Sequence, residues 1–173
     1  MSLLQDNARE KARIVLQEYG DVTAPVPVEK IIKKRGIRVQ FSPLDQELSG
    51  MALVKDDVSI IGVNALHHPN RQRFTMAHEL GHHVMHRPHI EGTAHIDRGF
   101  AILLRDTVAS QGTDRMEIEA NAFASELLLP KHLLEPHVDV DGFDLDDVDH
   151  LQSLAKRFKV SLSALQYRLL AFS

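Results

Sequence analysis

Residues 73–88 read RFTMAHELGHHVMHRP and hold four of the chain's eleven histidines. At the centre is His78-Glu79-Leu80-Gly81-His82, an HExxH pattern. On a helix, residues i and i+4 lie one turn apart on one face, so both imidazoles can reach a single ion. A bare surface helix does not complete such a site. Other elements must pack over this face and bring the remaining ligand. The chain has no cysteine, so neither disulfides nor thiolates are available, and any metal must be held by His, Asp and Glu. Glu79 stands beside the first histidine, where its carboxylate can reach a water next to the ion rather than the ion itself. With eleven histidines, chance yields the pattern in roughly a few per cent of shuffled chains. A third ligand therefore decides between a metal site and a histidine-rich helix.

His86 is the nearest candidate, and helical geometry rejects it. Eight residues of helix separate it from His78, about 12 Å along the axis. A straight helix cannot bring His78, His82 and His86 to bonds of about 2 Å on one ion. Position 85 is Met, where a glycine would be needed to break the helix. His83 and His86 are read instead as surface histidines or as partners behind the ligands. The stretch EIEANAFASELLLP, residues 117–130, supplies a better source. Glu117 shares a helical face with Ala120, Asn121, Ala124 and Leu128, mostly small or apolar. Glu119 shares its face with Arg115, Ala122 and Glu126, which read as solvated. The two glutamates lie about 200° apart around the axis, so one helix cannot aim both at one ion. Glu117 is the inward one, and a buried carboxylate needs a partner such as Zn²⁺. Asn121, one turn later, is placed to hydrogen-bond the back of a ligating histidine. The candidate site is thus His78, His82 and Glu117 as metal ligands, Glu79 as the catalytic base and Asn121 as support.

The remaining chain reads as α+β. Residues 4–19 have helical spacing and stop at Gly20; Val28, Ile31 and Ile32 suggest a short helix closed at Gly36; residues 37–41 alternate as a strand. Met51–Val54 and Val58–Val63 form a hairpin about Lys55-Asp56-Asp57. The histidine helix runs from Pro69 or Asn70 to about His86, and a second strong helix covers 115–129. An acidic loop, DVDGFDLDDVDH, leads to helices around Leu151–Phe158 and Ser161–Phe172. At 173 residues, 43% hydrophobic, one domain over 1–173 is expected, with the helix pair at about 147–173 part of it. A net charge of −4 offers no bulk basicity for nucleic acid or anionic lipid. No apolar run approaches a membrane span and the N-terminus lacks a signal-peptide core, so a cytoplasmic protein is expected.

The blocks FTMAHELGHHVMH and EIEANAFASELLLP, with VSIIGVN before them and LAKRFKVSLSALQYRL after, resemble the ImmA/IrrE family of metallopeptidases, a gluzincin group. The resemblance extends from about residue 28 onward. It implies a small mixed or antiparallel sheet packed on the HExxH helix, followed by a mainly helical C-terminal part. It also implies a glutamate opening an E-x-x-x-[DN] turn as third ligand, which falls on Glu117 and Asn121. The implied activity is zinc-dependent endoproteolysis of a specific protein partner, a helix-turn-helix repressor or antitoxin encoded nearby.

Several readings stay open beside it. Val58–Val63 is either an edge strand that pairs with an extended substrate or a buried core strand. Residues 87–113, with Gly92, Gly99, Gly112 and apolar Phe100–Leu104, are either a gate over the cleft or an excursion that joins the sheet. The closing helix pair has helix-turn-helix spacing, but Lys159 stands where glycine is common, and direct DNA contact is the less favoured reading. A non-proteolytic zinc protein or toxin is a further alternative, against which an intact Glu79 argues. The acidic run 139–149 lacks the order of an EF-hand loop. The only tyrosines, Tyr19 and Tyr167, have no readable relation to the site, so no oxyanion donor is assigned.

Overall fold

The computed structural model describes residues 3–97, 111–137 and 147–171, without the side chains of 111–114. Helices α1 (Leu3–Tyr19) and α2 (Val28–Lys34) come first, then strands β1 (Arg38–Ser42), β2 (Gly50–Lys55) and β3 (Val58–Asn64). The histidine helix α3 spans Pro69–Met85, and α4 (Arg87–Ile90) and β4 (His95–Asp97) follow. Helix α5 covers Gln111–Leu128 and α6 Lys131–Leu134, and α7 (Val148–Phe158) and α8 (Leu162–Leu170) close the described chain. This is the mixed α+β architecture expected, with a largely helical C-terminal part.

The sheet has the order β1-β3-β2-β4; β1 runs parallel to β3, and β2 runs antiparallel to both neighbours. Lys55 pairs with Val58 across Asp56-Asp57, whose φ angles are +49° and +62°. That is a two-residue hairpin turn with both central residues left-handed, a conformation aspartate tolerates better than most. β3 is paired on both sides, so the edge-strand reading of Val58–Val63 is corrected. Only Val58 and Ser59 lie beyond the β1 pairing, which covers Ile60 to Asn64, so the strand is interior to the sheet.

The excursion after α3 also resolves in part. Glu91 bridges to Val54, the Gly92 N–H donates to the Val54 carbonyl at 2.8 Å, and β4 pairs with β2 through Gly50, Met51 and Ala52. Residues 95–97 therefore extend the sheet, and Glu91 bridges to it. Shortening the chain around Gly92–His95 would disturb the pairing of β4 with β2. Phe100–Leu104, Gly99 and most of the acidic run lie outside the described residues.

α3 is enclosed for half its length: Thr75 to His83 are all buried. Its N-terminus carries Pro69 in the first turn, and the His68 ring accepts from the Asn70 N–H at 3.1 Å. One side of α3 lies on β2 and β3, another on α5. Gly81 allows the second contact: a Cβ there would stand 3.3 Å from the Ala120 Cα and 3.2 Å from Phe123 Cδ1. Phe123, Leu127 and Leu128 fill the core beside this seam, each contributing roughly 1.5–3 kcal/mol by burial.

α5 is covered on more sides than one apolar face would suggest. Ala122 and Glu126, read as solvated, are 0% and 1% exposed. Glu126 pairs with Arg168 of α8 at 2.5 Å and Arg13 of α1 at 3.2 Å, and Arg168 also donates to the Leu129 carbonyl at 3.0 Å. The apolar faces of α7 and α8 join the main core cluster. Asn70 donates to the Val160 carbonyl at 3.1 Å, tying the α7–α8 turn to the histidine helix. Lys159 does take the left-handed conformation usual for glycine, with φ +52°.

Candidate metal centre

α3 brings His78 and His82 to the α5 seam, and α5 brings Glu117 to meet them. His78 Nε2 and His82 Nε2 are 3.1 Å apart. Glu117 Oε2 lies 3.2 Å from the first and Glu117 Oε1 3.3 Å from the second. The three side chains are buried and form a group able to hold a metal ion. Two imidazole nitrogens and two carboxylate oxygens collected in the interior need a cation or proton among them. Zinc bonds nitrogen and carboxylate oxygen at about 2.0–2.2 Å in a tetrahedron, whose edges are then about 3.3 Å. The observed spacings lie near those edges, with each histidine facing a different oxygen of Glu117, so these residues fit such an ion.

Each imidazole is held from behind. His78 Nδ1 lies 2.9 Å from Asn121 Oδ1. His82 Nδ1 lies 3.0 Å from His86 Nδ1, and His86 Nε2 lies 2.8 Å from Glu119 Oε2. The surface reading of His83 and His86 is therefore corrected: they are 7% and 6% exposed. His83 Nε2–H donates to the Ile60 carbonyl at 3.0 Å, fixing α3 to β3, and His86 backs His82. Glu119 likewise does not face open water but receives His86.

Glu79 is fully buried, and neither carboxylate oxygen has a hydrogen-bond partner among the described residues. Burial, with Asp97 and Glu117 nearby, raises its pKa well above the usual carboxylate value, against the opposing pull of His78. Gly50 makes the room: a Cβ there would stand 3.3 Å from Glu79 Oε1 and 2.4 Å from Thr75 Cγ2. An unpartnered buried carboxylate beside a candidate metal site is costly to stability unless something polar comes to it.

Sequence reasoning missed two residues, both on β4. His95 Nε2 lies 2.8 Å from Glu117 Oε1, and its ring sits 4.1 Å from that of His82. Asp97 joins His78 and Glu79 in a second group with metal-ligand spacing, which shares His78 with the first. The alternation His95-Ile96-Asp97 was the available signal, since i and i+2 of a strand share a face. Tyr19 lies beneath Lys34, and Tyr167 accepts from Gln5, so both tyrosines make their contacts elsewhere.

The charges follow from the packing. Burial disfavours the imidazolium of His78, but Glu117, Glu79 and Asp97 outweigh it and raise the pKa to about 9. His82 is pushed down to about 3 by burial, and by the neighbouring charges of His78 and His95. Burial opposes the Glu117 charge, yet the surrounding imidazoles of His78, His82 and His95 hold that carboxyl far below its usual range. Without metal, a proton on His78 Nε2 would stand where an ion would otherwise be held. Zn²⁺ uptake near neutral pH should displace about one proton, so apparent affinity should rise about tenfold per pH unit until about pH 9. Calorimetry in buffers of different ionisation enthalpy measures the release. Uptake without proton release would contradict this account of His78.

The family model described as IrrE N-terminal-like domain, Peptidase_M78, matches residues 32–170. Among solved structures, the chain is similar to a Mycobacterium tuberculosis transcriptional regulator, with a TM-score of 0.60 and 18% identity over 94% of this chain and 46% of that one. The chain thus spans less than half of that regulator, and at this identity the likeness is one of fold. No curated protein matches the chain.

Proposed function

The chain belongs to the Peptidase_M78 family of IrrE N-terminal-like metallopeptidase domains, and from that membership we propose that it is a zinc-dependent endopeptidase with one protein partner as its substrate. The observation that carries this reading is the pairing of two features. His78 Nε2, His82 Nε2 and Glu117 are spaced closely enough to share one ion, and the buried Glu79 carboxylate beside them has no partner among the described residues. A site kept only to stabilise the fold has no use for the second feature. The donor set, two imidazoles and a carboxylate with no thiolate, suits catalytic rather than structural zinc.

His78, His82 and Glu117 would hold the ion and leave a further position for water or substrate. When bound, zinc supplies a Lewis acid that acidifies water and polarises a peptide carbonyl. The chain contributes the proton traffic. Glu79 takes a proton from the attacking water onto its carboxylate and delivers it to the leaving amine. Its raised pKa suits that task, because a more basic carboxylate accepts the proton more readily. Asn121 and His86 keep both imidazoles aimed.

For the substrate we propose a helix-turn-helix repressor or antitoxin encoded beside the protein. The family and the transcriptional regulator that shares the fold both support a regulatory setting. The test is co-expression with that partner, followed by blotting for fragments. A partner cut at one site, and left whole when the purified pair is treated with chelator, is expected. A stable complex with an intact partner would favour a non-proteolytic zinc protein instead.

A further inference from the structure

The two candidate histidine ligands are supported differently. His78 is backed by a neutral amide, with Asn121 Oδ1 at 2.9 Å from Nδ1. His82 is backed by a second imidazole and, beyond it, a carboxylate: Nδ1 to His86 Nδ1 at 3.0 Å, then His86 Nε2 to Glu119 Oε2 at 2.8 Å. His82 and His86 are 0% and 6% exposed, and the Glu119 side chain is 19% exposed. Two elements build this chain of contacts. His86 caps the end of α3, while Glu119 comes from α5, on the side away from Glu117.

Proton placement along it follows from donor and acceptor chemistry. A carboxylate only accepts, so His86 Nε2 must carry a hydrogen. A neutral imidazole has one donor and one acceptor nitrogen, so His86 Nδ1 is then a lone pair. The contact with His82 therefore requires a hydrogen on His82 Nδ1. His82 Nε2 is left as a lone pair, and this is the atom that faces His78 Nε2 and Glu117. With His86 neutral, reversing any one step leaves either two hydrogens or two lone pairs opposed in the interior.

We propose that His86 and Glu119 are positioning residues that lock His82 into its metal-binding tautomer and thereby set the protein's affinity for zinc. The proposal rests on reading the site as a metal centre. Partners of this kind orient a ligating ring and strengthen it as a donor, and losing one costs roughly 10–100-fold in metal affinity. The relay is graded: Glu119 acts only through His86. Its removal leaves the ion all three ligands, so the metal is held more weakly but is not lost.

That dependence separates the relay from a merely structural role. Zinc dissociation constants would be measured on the full chain by competition with a chromophoric chelator. Glu119→Ala should weaken binding about 10-fold and His86→Ala roughly 10–100-fold. Adding Glu119→Ala to His86→Ala should change nothing beyond about twofold, because the link is already cut. Glu119→Gln, which can still accept from His86, should fall between wild type and Glu119→Ala, and it serves if the alanine variants fold poorly. Melting of the zinc-free proteins and long-range ¹H–¹⁵N spectra give independent readouts. The spectra of the zinc-loaded protein should place hydrogens on His82 Nδ1 and His86 Nε2. Additive effects of the two substitutions, affinity losses that merely track melting of the zinc-free protein, or a hydrogen on His86 Nδ1 would overturn the relay. His82→Ala and Glu117→Ala distinguish the larger failure. If these hold zinc as wild type does, the metal reading falls and the relay with it. If they lose zinc while the Glu119 and His86 variants bind normally, the relay alone falls.

Discussion

Replacing Glu79 by glutamine should leave zinc in place and slow cleavage of the protein partner by roughly 10²–10⁴-fold, the usual contribution of a general base. Glutamine has the same shape, so it fits the space beside Gly50 and Thr75 that a Cβ on Gly50 would fill. It is neutral, so it cannot take up the proton of the attacking water. The effect on stability should run the other way. The Glu79 carboxyl has a raised pKa in the folded protein, so folding costs more as pH rises past the ordinary carboxylate range. Glutamine removes that cost, and the melting temperature should be unchanged or higher, most clearly at alkaline pH. A stabilised but inactive variant is the signature of a residue kept for chemistry at the expense of the fold. Equal fragmentation of the partner by wild type and Glu79→Gln in cells would remove the peptidase reading.

The legible part of this site was the part encoded by a single helical period. His78 and His82 follow from i, i+4 spacing, and Glu117 follows from the small, apolar face it shares with Ala120 and Ala124. The Asp56-Asp57 turn was readable as a hairpin because two apolar runs flank it. The rest depends on which elements meet. His95 and Asp97 reach the site only because residues 95–97 pair with Gly50, Met51 and Ala52, a contact some 45 residues distant along the chain. The three-residue alternation His95-Ile96-Asp97 is too short to announce it. The position of β3 is similar: its own sequence fits an edge or a centre, and its interior place comes from the parallel pairing with β1. Glu119 and Glu126 were misread because a helix was assigned one buried face. α5 is contacted by α1, α3 and α8, so a second face carries the half-buried Glu119, met by His86, and the buried Glu126, met by Arg13 and Arg168.

Those two faces give the sharpest test of the metal centre. Glu117→Ala should weaken zinc binding by more than about 10²-fold, beyond the range expected for residues that only support a ligand. Elemental analysis of protein as purified should find it nearly zinc-free, against about one zinc per chain for wild type. Glu119→Ala should be purified with its zinc and lose it only to a competing chelator. The contrast is geometric. Two residues along a helix turn a side chain by about 200°. Glu117 therefore lies among the His78, His82 and His95 rings, and Glu119 reaches only the far side of His86. Glu117→Gln would retain the side-chain volume but only a weak neutral oxygen, so its zinc content should fall nearly as far as in Glu117→Ala. A volume-dependent role would instead be rescued by glutamine. If Glu119→Ala emerged without zinc and Glu117→Ala kept it, the carboxylate that completes the site would be the wrong one. The triangle His78–His82–Glu117 would then be a buried hydrogen-bonded cluster rather than a metal centre.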